Sequence, residues 1–284
     1  MLNIILNKSV EIPLQTMTFS GGEEQIKLET RYLPETSVTS VDIHAFVQSS
    51  SELIQLALVV DALRRLERID SKAEYTLFLP YIPYARQDRV MNPGEALSSV
   101  FLSNFINSLN FDRVYVEDPH SDVSSSGLKN VFVEKQSNIV FRHLGWRIRK
   151  MDFILCSPDA GAAKKTEELA KKMGITEIIV GKKVRDVTTG QITGTVFMGN
   201  PVEGRNVLMV DDICDGGMTF IKLGEALKKA GAANVELFVT HGIFSKGADV
   251  FDGTVDKVFA HNVWEQNVTP DKNTKGIFQP YTKI

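Results

Sequence analysis

Cysteine is nearly missing from this sequence: Cys156 and Cys214 are the only two in 284 residues, too few for a disulfide framework or a structural zinc site. They read as two small reduced core thiols. An excess of one charge sign is missing as well. Lys and Arg number 32 against 35 Asp and Glu, a formal net charge of -3, which leaves no electrostatic footprint for a nucleic-acid backbone. Small anions must be caught by local groups instead. No apolar run is long enough to cross a bilayer, and the opening MLNIILNKSV has too short an apolar stretch and the wrong flanks for a signal peptide. The expectation is a cytoplasmic protein with neither nucleic acid nor membrane as a partner.

What is present is enough apolar material for a sizeable core, 43% of the chain, over a length that suits two ordinary domains. Short β-rich runs at 75–79, 113–117, 152–156, 176–180, 206–210 and 235–240 read as buried strands. Between them Leu53, Leu56, Val60 and Leu63, and later Phe220, Leu223, Leu227 and Ala230, recur at helical spacing. Alternation of this kind predicts an α/β fold with mainly parallel sheets flanked by helices. The polar stretch near 143–150 reads as a join, giving domains over 1–145 and 146–284. Strand-then-acidic-loop occurs in both halves, in VYVEDPHSD and FILCSPDAG, a faint sign of duplication.

In such sheets ligands bind where strands end and loops begin. Four loops stand out on that ground: 84–89, 118–122, 157–161 and 211–219. The last carries the strongest signal, VLMVDDICDGGMT: a buried strand, two adjacent carboxylates, a glycine turn and a threonine opening a helix. Asp211 and Asp212 suit the two hydroxyls of a ribose. Backbone N–H groups from Asp215 through Gly216, Gly217 and Met218 to Thr219 suit a phosphate at a helix N-terminus. Cys214 sits inside this loop without an evident base or basic neighbour, so no nucleophilic role is expected of it.

The 207–219 segment resembles the phosphoribosyl-binding loop of the type I phosphoribosyltransferase fold. Together with FLPYIPYARQDR (78–89), EDPHSD (117–122), SPDAGAAKK (157–165) and THGIFS (240–245), in the same order, it resembles the hallmark stretches of the ribose-phosphate pyrophosphokinase family. The resemblance covers about residues 19–245. It implies two phosphoribosyltransferase-type domains, an ATP-side one over 1–145 and a ribose-phosphate one over 146–284. It also implies homo-oligomers in which a neighbouring subunit completes the ATP site. By the same resemblance Arg86 and Gln87 contact ATP, while Phe19 and Glu23 of FSGGEE belong to the loop that reaches into a neighbour's ATP site. His120 helps hold magnesium and nucleotide phosphates, and Asp159 holds magnesium on the ribose hydroxyls. Lys182 and Arg185, with Lys183 as a rival, supply the catalytic charge from a flexible loop over ATP. The implied reaction is magnesium-dependent transfer of the β,γ-diphosphoryl group of ATP to an anomeric hydroxyl. Taken singly the residues have plainer readings: Arg86 paired with Asp88, His120 as a structural hydrogen-bonder, Asp159 as a helix cap, and the lysines as a solvated face.

The sequence departs from the family at three places. Gly216 stands where the family's phosphate loop has a threonine, and Met218 precedes Thr219. The lost hydroxyl would be missed more by a terminal phosphate dianion than by a phosphodiester. ADP-ribose therefore stands beside ribose 5-phosphate as a candidate sugar. Some phage-encoded relatives are associated with making its 1-diphosphate for NAD rebuilding, and for such a member the compartment is the host cytoplasm. Gly21 replaces an acid or amide that usually contacts adenine. VMNPGEALSS after Arg89 replaces a more basic stretch, so the family's phosphate activation and ADP inhibition are not expected. The competing functions are a phosphoribosyltransferase, which shares only the 207–219 loop, and a non-catalytic regulatory subunit.

Overall fold

The computed structural model describes residues 2–185, 192–268 and 277–278. The chain divides into two compact units, Met1–Glu134 and Lys135–Ile284.

The first unit holds strands β1 (Leu2–Leu6), β2 (Val10–Glu11), β3 (Leu14–Thr18), β4 (Glu24–Leu28), β5 (Val38–Ala45), β6 (Ile69–Phe78), β7 (Arg113–Glu117) and β8 (Val131–Glu134), with helices α1 (Ser50–Arg64), α2 (Ser98–Ser108) and α3 (Asp122–Ser126). Its main sheet has the order β2-β1-β5-β6-β7-β8, antiparallel where β1 meets β2 and β5 and parallel from β5 onward. Helix α1 starts because the Ser49 side chain accepts the N–H of Glu52, satisfying a donor that has no partner within the helix. Its Leu53, Leu56, Val60 and Leu63 are buried, as their spacing predicts. Strands β3 and β4 form a separate two-stranded hairpin.

The second unit holds α4 (Gln136–Met151), β9 (Phe153–Ser157), α5 (Ala163–Met173), β10 (Ile178–Arg185), β11 (Ile192–Met198), β12 (Asn206–Cys214), α6 (Met218–Lys229), β13 (Asn234–Gly242), β14 (Lys257–Val263) and β15 (Ile277–Phe278). The sheet order is β11-β10-β9-β12-β13-β14-β15, parallel except for the β10–β11 pair. Alternate residues of its central strands enter two different cores. Ile154, Cys156, Val207, Met209, Leu237 and Val239 pack with Phe220, Leu223 and Leu227 of α6. Leu155, Leu208, Val210 and Phe238 pack with Ile139, Leu144 and Ile148 of α4 and Leu169 and Met173 of α5. A sheet covered on both faces needs apolar residues at every position, which is why these strands read as unbroken apolar runs.

Three expectations need correction. The polar stretch at 143–150 is no join: it lies within α4, whose Arg147 bonds the buried Glu236 and whose His143 meets His261 at 3.0 Å. The division falls after Glu134, because the amphipathic α4 buries its apolar side in the second core. Ala230 is the exposed C-cap of α6 and takes no part in its buried stripe.

Candidate active site

Strand β12 does not stop at Val210. It runs to Cys214, pairing Asp211 with Val239 and Cys214 with Gly242, so the two carboxylates belong to the sheet's carboxyl edge and not to a loop. Their strand position fixes them where a ligand site is expected in a parallel sheet. The Asp212 N–H donates to Asp211 Oδ1 at 2.9 Å. From α5, Lys165 Nζ stands 3.9 Å from Asp212 Oδ2. This lysine lies inside the SPDAGAAKK motif, yet sequence reasoning took only the aspartate from it.

After Cys214 the chain turns through Gly217, whose φ of +76° lies in the left-handed region, and α6 begins at Met218. A Cβ on Gly217 would stand 2.8 Å from Phe251 Cζ, so both conformation and space demand glycine there. Gly216 differs. Its φ is ordinary, and the atoms nearest to a Cβ would be those of the Lys246 side chain, at 3.5 Å and beyond. Gly217→Ala is therefore expected to destabilise the protein by about 2–4 kcal/mol, from backbone strain and overpacking together. Gly216→Ala should change stability by less than about 0.5 kcal/mol. Denaturant unfolding of the two variants checks the contrast, and equal costs would contradict it.

Asp159 follows β9. Its Oδ1 accepts the N–H groups of Gly161 at 2.9 Å and Ala162 at 3.3 Å, so it does cap the turn leading into α5. Gly181 of β10 holds this loop close: a Cβ there would stand 2.4 Å from the Pro158 carbonyl oxygen. Lys182 is exposed on β10 and pairs in register with Val196 of β11, and the backbone of Lys183 and Arg185 continues the strand. The expected flexible loop is thus a strand through Arg185. The side chains of Lys183 and Arg185, and residues 186–191, lie outside the described residues.

In the first unit, the 84–89 and 118–122 loops follow β6 and β7 and are tied together. Ser121 Oγ donates to Asp88 Oδ2 at 2.6 Å while also capping α3. Asp88 pairs with Arg89 Nε at 3.1 Å. Ser121 first, and then Arg89, hold the Asp88 carboxyl below the usual carboxylate range. Arg86, Gln87 and His120 are exposed on these loops. Tyr84 and Asp118 take positive φ angles of 60° and 41° without being glycine, strain of the kind that gathers at functional sites. Phe19 and Glu23 sit at the exposed tip of the β3–β4 hairpin, where the Phe19 N–H donates to the Glu23 carbonyl at 2.9 Å. Glu24, next to the turn, anchors this end of the hairpin to α1 through Ser51 and Gln55.

Comparison with known proteins decides the family. A phosphoribosyl transferase domain model matches residues 133–272. The ribose-phosphate pyrophosphokinase of Ralstonia nicotianae is 30% identical over 269 residues, covering 90% of this chain and 78% of that protein. The chain belongs to the ribose-phosphate pyrophosphokinase family. The Campylobacter jejuni ribose-phosphate pyrophosphokinase is 29% identical over 264 residues, 89% of this chain and 81% of that protein. The crystal structure of phosphoribosylpyrophosphate synthetase from Mycobacterium smegmatis superposes with a TM-score of 0.74 at 21% identity, covering 89% of this chain and 80% of that one. The fold is thus that of this enzyme family: two mainly parallel sheets flanked by helices.

In the second unit the adjacent carboxylates raise the pKa of one of their number. Asp211 is pushed well above the usual carboxylate range, by burial first, then by the charge of Asp212 and, less strongly, of Asp159. Burial, reinforced by Asp211 and Asp215, also pushes the Cys214 thiol up. A thiol held protonated in this way is a poor nucleophile. Among the described residues no group of three or more His, Cys, Asp or Glu forms a ready metal cage, and no helix is long and apolar enough to cross a membrane.

Proposed function

We propose that this chain is a magnesium-dependent pyrophosphokinase that transfers the β,γ-diphosphoryl group of ATP to the anomeric hydroxyl of a ribose 5-phosphate unit, and that the unit it takes is ADP-ribose. The observation that carries the reaction is the Asp211–Asp212 pair at the carboxyl edge of β12, followed by the Gly217 turn that opens α6. The carboxylates accept from the ribose hydroxyls, and the N–H groups at the head of α6 hold the 5-phosphate. The anomeric oxygen attacks the β-phosphorus in line, the bond to the bridging oxygen breaks, AMP leaves with that oxygen, and the hydroxyl proton passes to solvent. Catalysis is positioning and charge neutralisation, to which Lys182 and Arg185, or Lys183, contribute.

Arg86, Gln87 and His120 bind the nucleotide, and Phe19 and Glu23 serve a neighbouring subunit's ATP site in a homo-oligomer. Asp159 on the sugar side and His120 on the nucleotide side would hold magnesium, which when bound neutralises phosphate charge. The adjacent Asp211 and Asp212 at the end of β12 offer oxygen ligands, and magnesium needs few protein ligands when substrate oxygens and water complete its shell.

The choice of sugar rests on Gly216. Neither its backbone angle nor its surroundings demand glycine, so the hydroxyl found here in the family is absent without a folding reason. A phosphodiester misses that donor least. Purified protein with magnesium and ATP, given ribose 5-phosphate or ADP-ribose, is expected to release AMP faster with ADP-ribose, with the product identified by phosphorus NMR. Turnover of ribose 5-phosphate alone would overturn the choice of sugar. No AMP with either would overturn the reaction.

A further inference from the structure

The two glycines of the phosphate turn face different surroundings. Gly217 is closed off by Phe251 and Val250, atoms of which lie 2.8 and 3.5 Å from where its Cβ would be. Gly216 is covered by the stem of one exposed side chain, Lys246, whose Cε, Cδ and Cγ lie 3.5, 3.6 and 3.9 Å from the equivalent point. Lys246 follows β13 on the loop that the Cys214 carbonyl ties down by accepting the N–H groups of Ile243 at 2.8 Å and Phe244 at 3.2 Å. That tether keeps the lysine beside the mouth of the turn. Unlike Lys165, which stands by Asp212, Lys246 forms no ion pair among the described residues.

Around a phosphate seated in this turn, the Gly217 side would be closed by Phe251, and the Gly216 side would be bordered by the Lys246 stem. We propose that Lys246 is a specificity-determining residue that binds the second phosphate of a diphosphate-linked ribose. The missing side chain at Gly216 and the lysine then form one device. Glycine removes a hydroxyl suited to a terminal phosphate, and the lysine beside the turn offers its charge to the next phosphate of the chain. This rests on the ADP-ribose reading and adds the residue that enforces it. The ammonium is a point charge on a flexible stem, so it suits a second phosphate without dictating what lies beyond it.

The test is steady-state kinetics of wild type, Lys246→Gln and Lys246→Arg with ADP-ribose and with ribose 5-phosphate, each variant checked by thermal melting. Removing one charge-assisted hydrogen bond to the second phosphate should lower kcat/KM for ADP-ribose by about 10–100-fold, mainly through KM. Ribose 5-phosphate should change by less than about 3-fold, and the arginine variant should keep most of the selectivity. A wild type that prefers ADP-ribose with a glutamine variant equally active, or equally impaired on both sugars, overturns the role of Lys246 and leaves the choice of sugar standing. A wild type that turns over ribose 5-phosphate alone removes the choice of sugar, and the role of Lys246 with it.

Discussion

On the proposed reading, Asp211→Asn is expected to cost about 10–100-fold in kcat/KM while raising the melting temperature. The loss follows from removing a charged acceptor for a ribose hydroxyl in a sheltered site, where each charge-assisted hydrogen bond is worth roughly 1.5–3 kcal/mol. The gain follows from linkage. Asp211 has its pKa raised in the folded protein by burial, by Asp212 and by Asp159. As pH rises, the unfolded chain ionises this group first. Stability therefore falls between the ordinary carboxylate pKa and the raised one, and stays reduced at neutral pH. Asparagine removes that cost, with about 2–4 °C gained for each kcal/mol relieved in a chain of this size. Melting curves of wild type and variant from pH 4 to 8 should diverge as pH rises. Parallel curves, or a variant that melts lower throughout, would show that Asp211 is not held against its own charge.

The largest effect on stability is expected at Arg147. Glu236 on β13 is fully buried, and it accepts from Arg147 Nε at 3.0 Å and from Asn234 Nδ2 at 3.0 Å. Arg147→Met leaves a buried carboxylate without its counter-charge and should destabilise by about 3–5 kcal/mol. Replacing both partners, as Arg147→Met with Glu236→Leu, should recover most of that loss, because desolvating the pair offsets much of its attraction. Urea unfolding of the single and double variants gives the comparison. A double variant as unstable as the single one would place the cost in packing and not in the unpaired charge.

Much of this architecture is legible in the residues. The strands at 206–210 and 235–240 announce themselves because both faces of their sheet are covered, so every position is apolar. The stripe Leu53, Leu56, Val60, Leu63 marks a helix because those residues share one side of it. The hairpin Leu14–Thr18 with Glu24–Leu28 gives no such signal. Strand Leu14–Thr18 is almost wholly exposed and carries no periodicity, and its partner alternates only over Ile26 and Leu28, too short a pattern to stand out. The opposite error occurs at 143–150, where charged residues suggest a linker. They form a helix because Leu144 and Ile148 keep one side apolar and because Arg147 is matched by Glu236, nearly ninety positions away in sequence.

The site divides in the same way. Asp159, Asp211 and Asp212 are picked out from sequence because they stand in motifs whose joint order, five in a row, names the family. Lys165, Gly181, Phe251 and Lys246 carry no comparable mark, since a lysine on a helix or a phenylalanine in a loop is ordinary by itself. The sequence alone determines the kind of fold and the family, and it singles out Asp159, Asp211 and Asp212 as candidate residues, because local pattern and motif order encode them. Only the tertiary structure decides that Lys165 stands beside Asp212, that Phe251 forbids a side chain at Gly217, and that Lys246 covers Gly216. These are distances between segments remote in the chain, set by how sheet and helices pack and written in no single stretch of residues.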